Sequence, residues 1–217
     1  MPKKTRTPLV LAIFDGWCVA PPHKGNAVHR AKTPNIDHFG DEFPVVTLAA
    51  SGMEVGLSVG EMGNSEVGHL NIGAGRVYYQ TLPRIDKEIQ DGDFFENEAL
   101  LGAIEYAKER KGKVHLMGIT SHGNVHGAQE HLYALLELCK KQKMKDVFVH
   151  CFLDGRDSKF DSGKEFMEEL QGVIKKIKVG KIASLCGRYY AMDRDSRWDR
   201  IEKAYRAIVE GKSGEYY

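Results

Sequence analysis

Four short apolar runs, each closed by a polar segment that carries glycine, most constrain what this chain can fold into. The runs are residues 9–14, 114–119, 147–153 and 181–186, rich in Val, Ile and Phe. Their length and composition predict buried strands. Amphipathic stretches at helical spacing lie between and after them. Residues 129–142 carry Leu132, Leu135, Leu136 and Cys139, and residues 162–176 carry Phe166, Met167, Leu170 and Ile174. Residues 198–209 repeat the pattern after an acidic first turn. Strands and helices alternating at these lengths predict βαβ units, an α/β fold and a mostly parallel sheet.

The segment after each run is polar. Asp15-Gly16-Trp17 closes the first, and Ser121-His122-Gly123-Asn124-Val125-His126-Gly127 the second. Asp154-Gly155-Arg156-Asp157 closes the third, and the segment from Gly187 to Asp195 the fourth. Open α/β sheets place their ligands outside the carboxyl ends of the strands, so these segments are the candidate site. Arg156, Arg188 and Arg194 each lie in one of them. Guanidinium groups bind carboxylates and phosphates through paired hydrogen bonds, and three together suit a small, highly anionic metabolite. Asp157 can orient an arginine or take part in proton transfer at a hydroxyl. The plainer reading is a set of surface ion pairs, strongest for Arg197 and Arg200 on the following helix. His122 and His126 lie four apart, but Gly123 and Gly127 disfavour a helix there and no Glu occupies the base position of a zinc helix. Substrate contact is therefore preferred to metal binding, with a pair of turn histidines satisfying backbone groups as the alternative. Asp15 suits a divalent cation, since hard cations prefer carboxylate oxygen; a turn-capping Asp is the plainer reading.

A further motif stands apart from the strand ends. In Met62-Gly63-Asn64-Ser65-Glu66-Val67-Gly68-His69 a serine sits between an asparagine and an acid, with glycines on either side. A serine hydroxyl needs a base, a metal or a lowered pKa to react at neutral pH. Glycines let the backbone approach a bulky anionic group. Val67, Leu70 and Ile72 predict a short helix with Ser65 at its N-terminus, a position that favours negative charge, including phosphate. A surface turn that happens to hold Ser is the alternative. No Gly-rich segment has the spacing of a P-loop or a dinucleotide-binding turn, so nucleotide use has no support.

The 217 residues permit one large domain or two small ones, with a joint expected between residues 78 and 93. A net charge of +1 gives no reason to invoke nucleic acid or an acidic membrane surface. Cys18, Cys139, Cys151 and Cys186 are scattered, and read as buried thiols in a reducing compartment. The run 9–14 is broken at once by Asp15, too short for a signal-peptide core, and no other run approaches a membrane span. The expectation is a soluble, cytoplasmic protein.

Taken in order, Asp15-Gly16-Trp17, Gly25-Asn26-Ala27, Thr33-Pro34-Asn35-Ile36-Asp37, 62–75, 121–127, 154–157 and 187–195 resemble the motifs of cofactor-independent phosphoglycerate mutase. The resemblance runs from about residue 9 to about residue 210. It implies interconversion of 3-phosphoglycerate and 2-phosphoglycerate, in glycolysis and gluconeogenesis, through a phosphoserine on Ser65. It implies two divalent metal ions, often manganese, with Asp15 and Ser65 matching two ligands of one site. His126, Arg156, Asp157, Arg188 and Arg194 match substrate-binding positions. The partner implied is a small-molecule phosphoglycerate, with no nucleic acid and no membrane, and the full-length enzyme is expected to be a monomer. The implied architecture is an alkaline phosphatase-like, metal-binding N-terminal piece over 1–78, followed by an inserted α/β phosphotransferase domain, incomplete, over 79–217.

The departures from the family pattern matter as well. The family enzyme is more than twice this long, and Tyr217 falls inside the inserted domain. By the resemblance, the remaining metal ligands and further Arg and Lys contacts lie outside this sequence, so the chain alone is expected to be inactive. Cys18 follows Trp17 where glycine is usual, and Leu57-Ser58-Val59 replaces a Leu-Pro step. Two alternatives stand beside the enzyme reading. One is a catalytically inactive anion-binding or regulatory module; the other is a metal-dependent phosphatase or phosphomutase of the alkaline phosphatase superfamily.

Overall fold

The computed structural model describes residues 7–17 and 19–213. The chain divides into two compact units, Met1–Tyr79 and Gln80–Tyr217.

Among its described residues the first unit has three α-helices: α1 (Ala27–Arg30), α2 (Pro34–Glu42) and α3 (Ser65–Ala74). Local chemistry sets their starts. Asn26 caps α1 by accepting from the His29 N–H, and Pro34 opens α2 where a backbone donor is not needed. The buried cluster of this unit is small, formed by Val55, Leu57 and Val67. The strand expected at residues 9–14 does not form. Leu9, Val10 and Leu11 are 94%, 85% and 70% exposed, and no described residue of this unit is in a strand. An apolar run becomes a strand only when a neighbour takes up its backbone N–H and C=O groups, and here none does.

The second unit holds α4 (Thr81–Asp91) and α5 (Glu98–Glu109), then β1 (Val114–Thr120), α6 (Gln129–Lys141), β2 (Val147–Leu153), α7 (Gly163–Ile177) and β3 (Lys181–Gly187). Two short helices come next, α8 (Arg188–Ala191) and α9 (Trp198–Tyr205), with a π-helical turn at Arg206–Glu210. The three strands are parallel in the order β1-β2-β3, the α/β arrangement expected from their alternation with helices. Helices α6 and α7 pack on each other and on β1. They cover the sheet face that carries Val147, Val149 and Cys151, which with Leu136, Leu138 and Leu170 are almost wholly removed from water. At roughly 1.5–3 kcal/mol per buried aliphatic side chain, this cluster holds the unit together. Cys139 and Cys151 are buried, as expected of structural thiols, and Cys186 is half-buried. Cys18 lies outside the described residues. Among the described residues no helix is long and apolar enough to cross a membrane.

The opposite sheet face carries a polar line across all three strands. His115 Nδ1 lies 2.9 Å from His150 Nε2, and His150 Nδ1 lies 2.7 Å from Ser184 Oγ. His150 is 3% exposed; burial, and then the neighbouring His115, lower its pKa below 6.5. A histidine that folds best neutral lends stability fully above its unfolded pKa, and that stability is lost as pH falls through the lowered value. The urea midpoint of the chain, followed between about pH 5 and 8, is therefore expected to drop on the acid side. The acid-side slope is expected to be smaller in His150→Asn. Equal slopes in the two chains would remove His150 as the cause.

Candidate functional site

The segments after β1, β2 and β3 meet at the carboxyl edge of the sheet, and a glycine makes the first contact possible. A Cβ on Gly123 would lie 2.8 Å from the Asp157 carbonyl oxygen and 3.0 Å from Asp154 Oδ2. Only a residue without a side chain lets the first segment lie on the second this closely. Buried Ser121 completes the joint: its hydroxyl donates to Asp154 Oδ2 at 2.6 Å and accepts from the Gly123 N–H at 2.9 Å.

Asp154 is the hub. Its side chain is 1% exposed and also accepts from the Arg156 and Asp157 N–H groups, at 3.2 and 3.1 Å, and from Arg188 Nη1 at 2.7 Å. Burial pushes its carboxyl up, but the hydrogen bonds from Ser121 and Arg188 and from the two backbone groups outweigh it. They hold the pKa well below the usual carboxylate range. Arg188 Nη1 also donates to Asp157 Oδ2 at 2.5 Å, and His126 Nε2 stands 3.9 Å from that same oxygen. Arg188 thus joins β3's segment to both acids of β2's segment.

The third segment is folded around Asp193. That carboxylate accepts from the Asp195 N–H at 3.1 Å, the Arg197 N–H at 2.8 Å and Arg200 Nη1 at 3.2 Å. The guanidinium of Arg200 lies 3.9 Å from the centre of the Tyr189 ring. Around these groups opens a cavity of about 560 Å³, lined by His126, Arg156, Arg188, Arg194 and Arg200 among others. The guanidinium groups of Arg156 and Arg194 have no hydrogen-bond or ion-pair partner among the described residues, so both are uncommitted cations at the cavity wall. Guanidinium groups from the segments after β2 and β3, with His126 from the segment after β1, therefore line one space together with Asp154, Asp193 and Asp195. With Arg188 and Arg200 paired to these acids and to Asp157, Arg156 and Arg194 are the cations left to meet a small anion.

Two sequence expectations change here. His122, expected to contact substrate, does not line the cavity. Its Nδ1 lies 2.7 Å from Glu130 of α6 and its Nε2 2.7 Å from Glu169 of α7, so both ring nitrogens are engaged elsewhere. Arg200, set aside as a surface ion pair, lines the cavity while paired to Asp193; Arg197 does not line it. Asp154 carried no separate signal in the sequence, because its burial depends on three segments meeting.

The serine motif lies in the first unit. A Cβ at Gly63 would fall 1.7 Å from the Ala50 carbonyl oxygen, so glycine alone fits where this segment passes residue 50. Asn64 then caps α3, its side chain accepting from the Val67 N–H at 3.0 Å. Ser65 is the first residue of α3, exposed at the positive end of the helix. Its hydroxyl donates to Asp15 Oδ2 at 2.6 Å, across a separation of fifty residues. Asp15 itself sits in a turn closed by the Trp17 N–H donating to the Phe14 carbonyl at 3.1 Å. Two hard oxygen donors at hydrogen-bonding distance fit part of a divalent-cation site. A catalytic site takes about three protein ligands or more, and no group of three acidic, His or Cys side chains suited to a metal occurs among the described residues. The pair fits as two ligands of an incomplete set.

The chain is similar to known proteins of one family. The family model described as BPG-independent PGAM N-terminus matches residues 85–216. The 2,3-bisphosphoglycerate-independent phosphoglycerate mutase of Clostridium perfringens (strain SM101 / Type A) is 54% identical over 208 residues, covering 96% of this chain and 41% of that protein. The enzyme of the same name from Acetivibrio thermocellus is 53% identical over 207 residues, covering 95% of this chain and 40% of that protein. A crystal structure of Leishmania mexicana phosphoglycerate mutase at low cobalt concentration superposes with a TM-score of 0.64 at 36% identity, over 85% of this chain and 35% of that one. The chain thus spans about two fifths of the length of the curated relatives it matches. On these matches, and on a parallel α/β unit with its loops in the expected order, the chain belongs to the 2,3-bisphosphoglycerate-independent phosphoglycerate mutase family.

Proposed function

We propose that this chain carries the nucleophile and a substrate-holding site of an enzyme that interconverts 3-phosphoglycerate and 2-phosphoglycerate. The observation that supports it most is the convergence of Arg156, Arg188, Arg194 and His126 on one cavity at the carboxyl edge of the sheet. In this reading Arg156 and Arg194 bind the carboxylate and phosphate oxygens, and His126 donates to the same anion. Arg188 holds Asp157 in place, and the Asp157 carboxylate takes or returns the proton of a glycerate hydroxyl.

Ser65 is the phosphoryl acceptor. Its Oγ forms a bond to phosphorus as the bond from phosphorus to the C3 oxygen breaks, leaving phosphoserine and glycerate. Glycerate reorients, its C2 oxygen takes the phosphoryl group, and Ser65 is released. The start of α3 stabilises the negative charge that passes over Ser65. Two divalent ions, manganese by preference, would lower the serine hydroxyl pKa and neutralise phosphoryl charge when bound, with Asp15 and Ser65 as two of the ligands. Residues 1–78 then belong to the phosphatase part and 79–217 to the phosphotransferase part of a monomeric, cytoplasmic enzyme.

The test uses the purified chain with manganese. Calorimetry is expected to show 3-phosphoglycerate binding that weakens about tenfold in Arg156→Lys or Arg194→Lys, since Lys lacks the planar pair of donors. A coupled assay is expected to show no steady production of 2-phosphoglycerate, because only two metal ligands are at hand among the described residues. Unchanged binding in both lysine variants would overturn the site. Steady turnover by the chain alone would overturn the incomplete ligand set.

A further inference from the structure

His122 occupies the segment between β1 and α6, one residue from Ser121 and four from His126. It faces α6 through Glu130 and α7 through Glu169, with the Phe166 ring packed edge-on and centred 5.0 Å from its own ring centre. The contacts decide its charge by counting donors. A neutral imidazole has one N–H, whereas an ionised carboxylate only accepts. With carboxylate oxygens 2.7 Å from both ring nitrogens, a neutral ring would set one lone pair against an oxygen anion. Only the imidazolium donates to both.

We propose that His122 is a positioning residue: held as a cation between Glu130 and Glu169, it pins the segment that carries His126 to α6 and α7, so anion binding in the cavity follows its charge. The proposal rests on the reading of that cavity as the phosphoglycerate site. Apart from His122, the segment is held at its start, where Gly123 lies on Asp154 and Asp157 and the Gln129 N–H donates to the Ser121 carbonyl at 3.1 Å. Ser121 anchors one end through Asp154, while Asn124, Val125 and His126 reach outward and Asn124 sits at a positive φ of 54°. The ion pairs of His122 add side-chain ties from this segment to α6 and α7.

The surroundings keep the clamp charged. Burial opposes the charge of His122, but its hydrogen bond to Glu169 and the charges of Glu130 and Glu169 outweigh burial, and its pKa is raised above 6.5. The bond to His122 is the main reason the Glu169 carboxyl is lowered, helped by the Tyr133 hydroxyl donating to it at 3.0 Å. Burial chiefly raises the Tyr133 phenol, so it stays protonated, and it also contacts the Gln129 amide. Glu130 and Tyr133 from α6 and Glu169 from α7 are the titratable groups in contact with this cluster. A raised histidine pKa makes the clamp fully present below 6.5 and loses it as pH rises through the raised value.

The experiment compares the full 217-residue chain with His122→Gln and His122→Lys. Nitrogen-15 spectra of the imidazole report the protonation of His122 without any ligand. Calorimetry reports 3-phosphoglycerate affinity at each pH, and the ratio of native to variant affinity cancels titration of the ligand. The expected result is an imidazolium at pH 6.5 and a native-to-His122→Gln ratio of about fivefold that falls to one as the ring loses its proton. His122→Lys, which keeps a cation, is expected to restore affinity and to remove the pH step. A neutral His122 at pH 6.5, or a ratio of one at every pH with the imidazolium present, overturns the proposal. If the native chain binds no 3-phosphoglycerate at all, the reading of the cavity fails instead. The clamp is then judged by amide hydrogen exchange over 123–127: faster exchange in His122→Gln supports it, and equal exchange overturns it.

Discussion

An Arg188→Ala chain is expected to be less stable than the native one by about 3–5 kcal/mol, the cost of stripping a buried acid of its ion-pair partner. Asp154 is 1% exposed and Arg188 11%, so water does not replace the lost guanidinium. Asp154 keeps its bonds from Ser121, Arg156 and Asp157, which limits the loss, but its negative charge is then unbalanced. Asp157 loses its 2.5 Å partner in the same step. Urea unfolding of the native chain, Arg188→Ala, Asp154→Asn and the double variant measures the coupling directly. The double variant is expected to be more stable than Arg188→Ala, because an uncharged amide is cheaper to leave buried. A loss under about 1 kcal/mol in Arg188→Ala would show that the three segments are held by other contacts.

Ser65→Ala is expected to have the opposite profile: activity gone, stability kept. The side chain is exposed, Asn64 remains as the cap of α3, and alanine is the best helix former at the position after the cap. Asp15 loses its 2.6 Å hydrogen bond but is itself exposed and turns to water. The stability change is therefore expected to stay within about 0.5 kcal/mol. Under the role proposed for Ser65, however, losing its hydroxyl oxygen removes the covalent route altogether. The measurement is made on a chimaera in which this chain replaces the matching 208 residues of the Clostridium perfringens relative. Turnover of 3-phosphoglycerate is expected to fall by about three orders of magnitude or more. Near-normal turnover in the alanine variant would assign the nucleophile elsewhere.

Strands β1, β2 and β3 and helices α6 and α7 were legible in the sequence to within a residue or two at their ends. Their signal is local: an apolar run of strand length, or apolar residues on one helical face, carries its own period. The start of α3 was legible for the same reason, since cap, glycine and apolar positions lie within a few residues. The run 9–14 has the same composition as the other strands and remains unpaired, because pairing is a property of two segments and not of one.

By itself, then, the sequence determined the α/β alternation, the loops after β1, β2 and β3, and the residue types that bear charge in them. Only the tertiary structure decided what each charge faces. It buried Asp154 under donors from three segments, turned His122 away from the cavity toward α6 and α7, and brought Arg200 back to the cavity from the following helix. Spacing along a chain sets which residues share a face of one element. The electric environment of a side chain depends on groups tens of residues away, such as Arg188 beside Asp154 and Glu169 beside His122, and only packing brings them within reach.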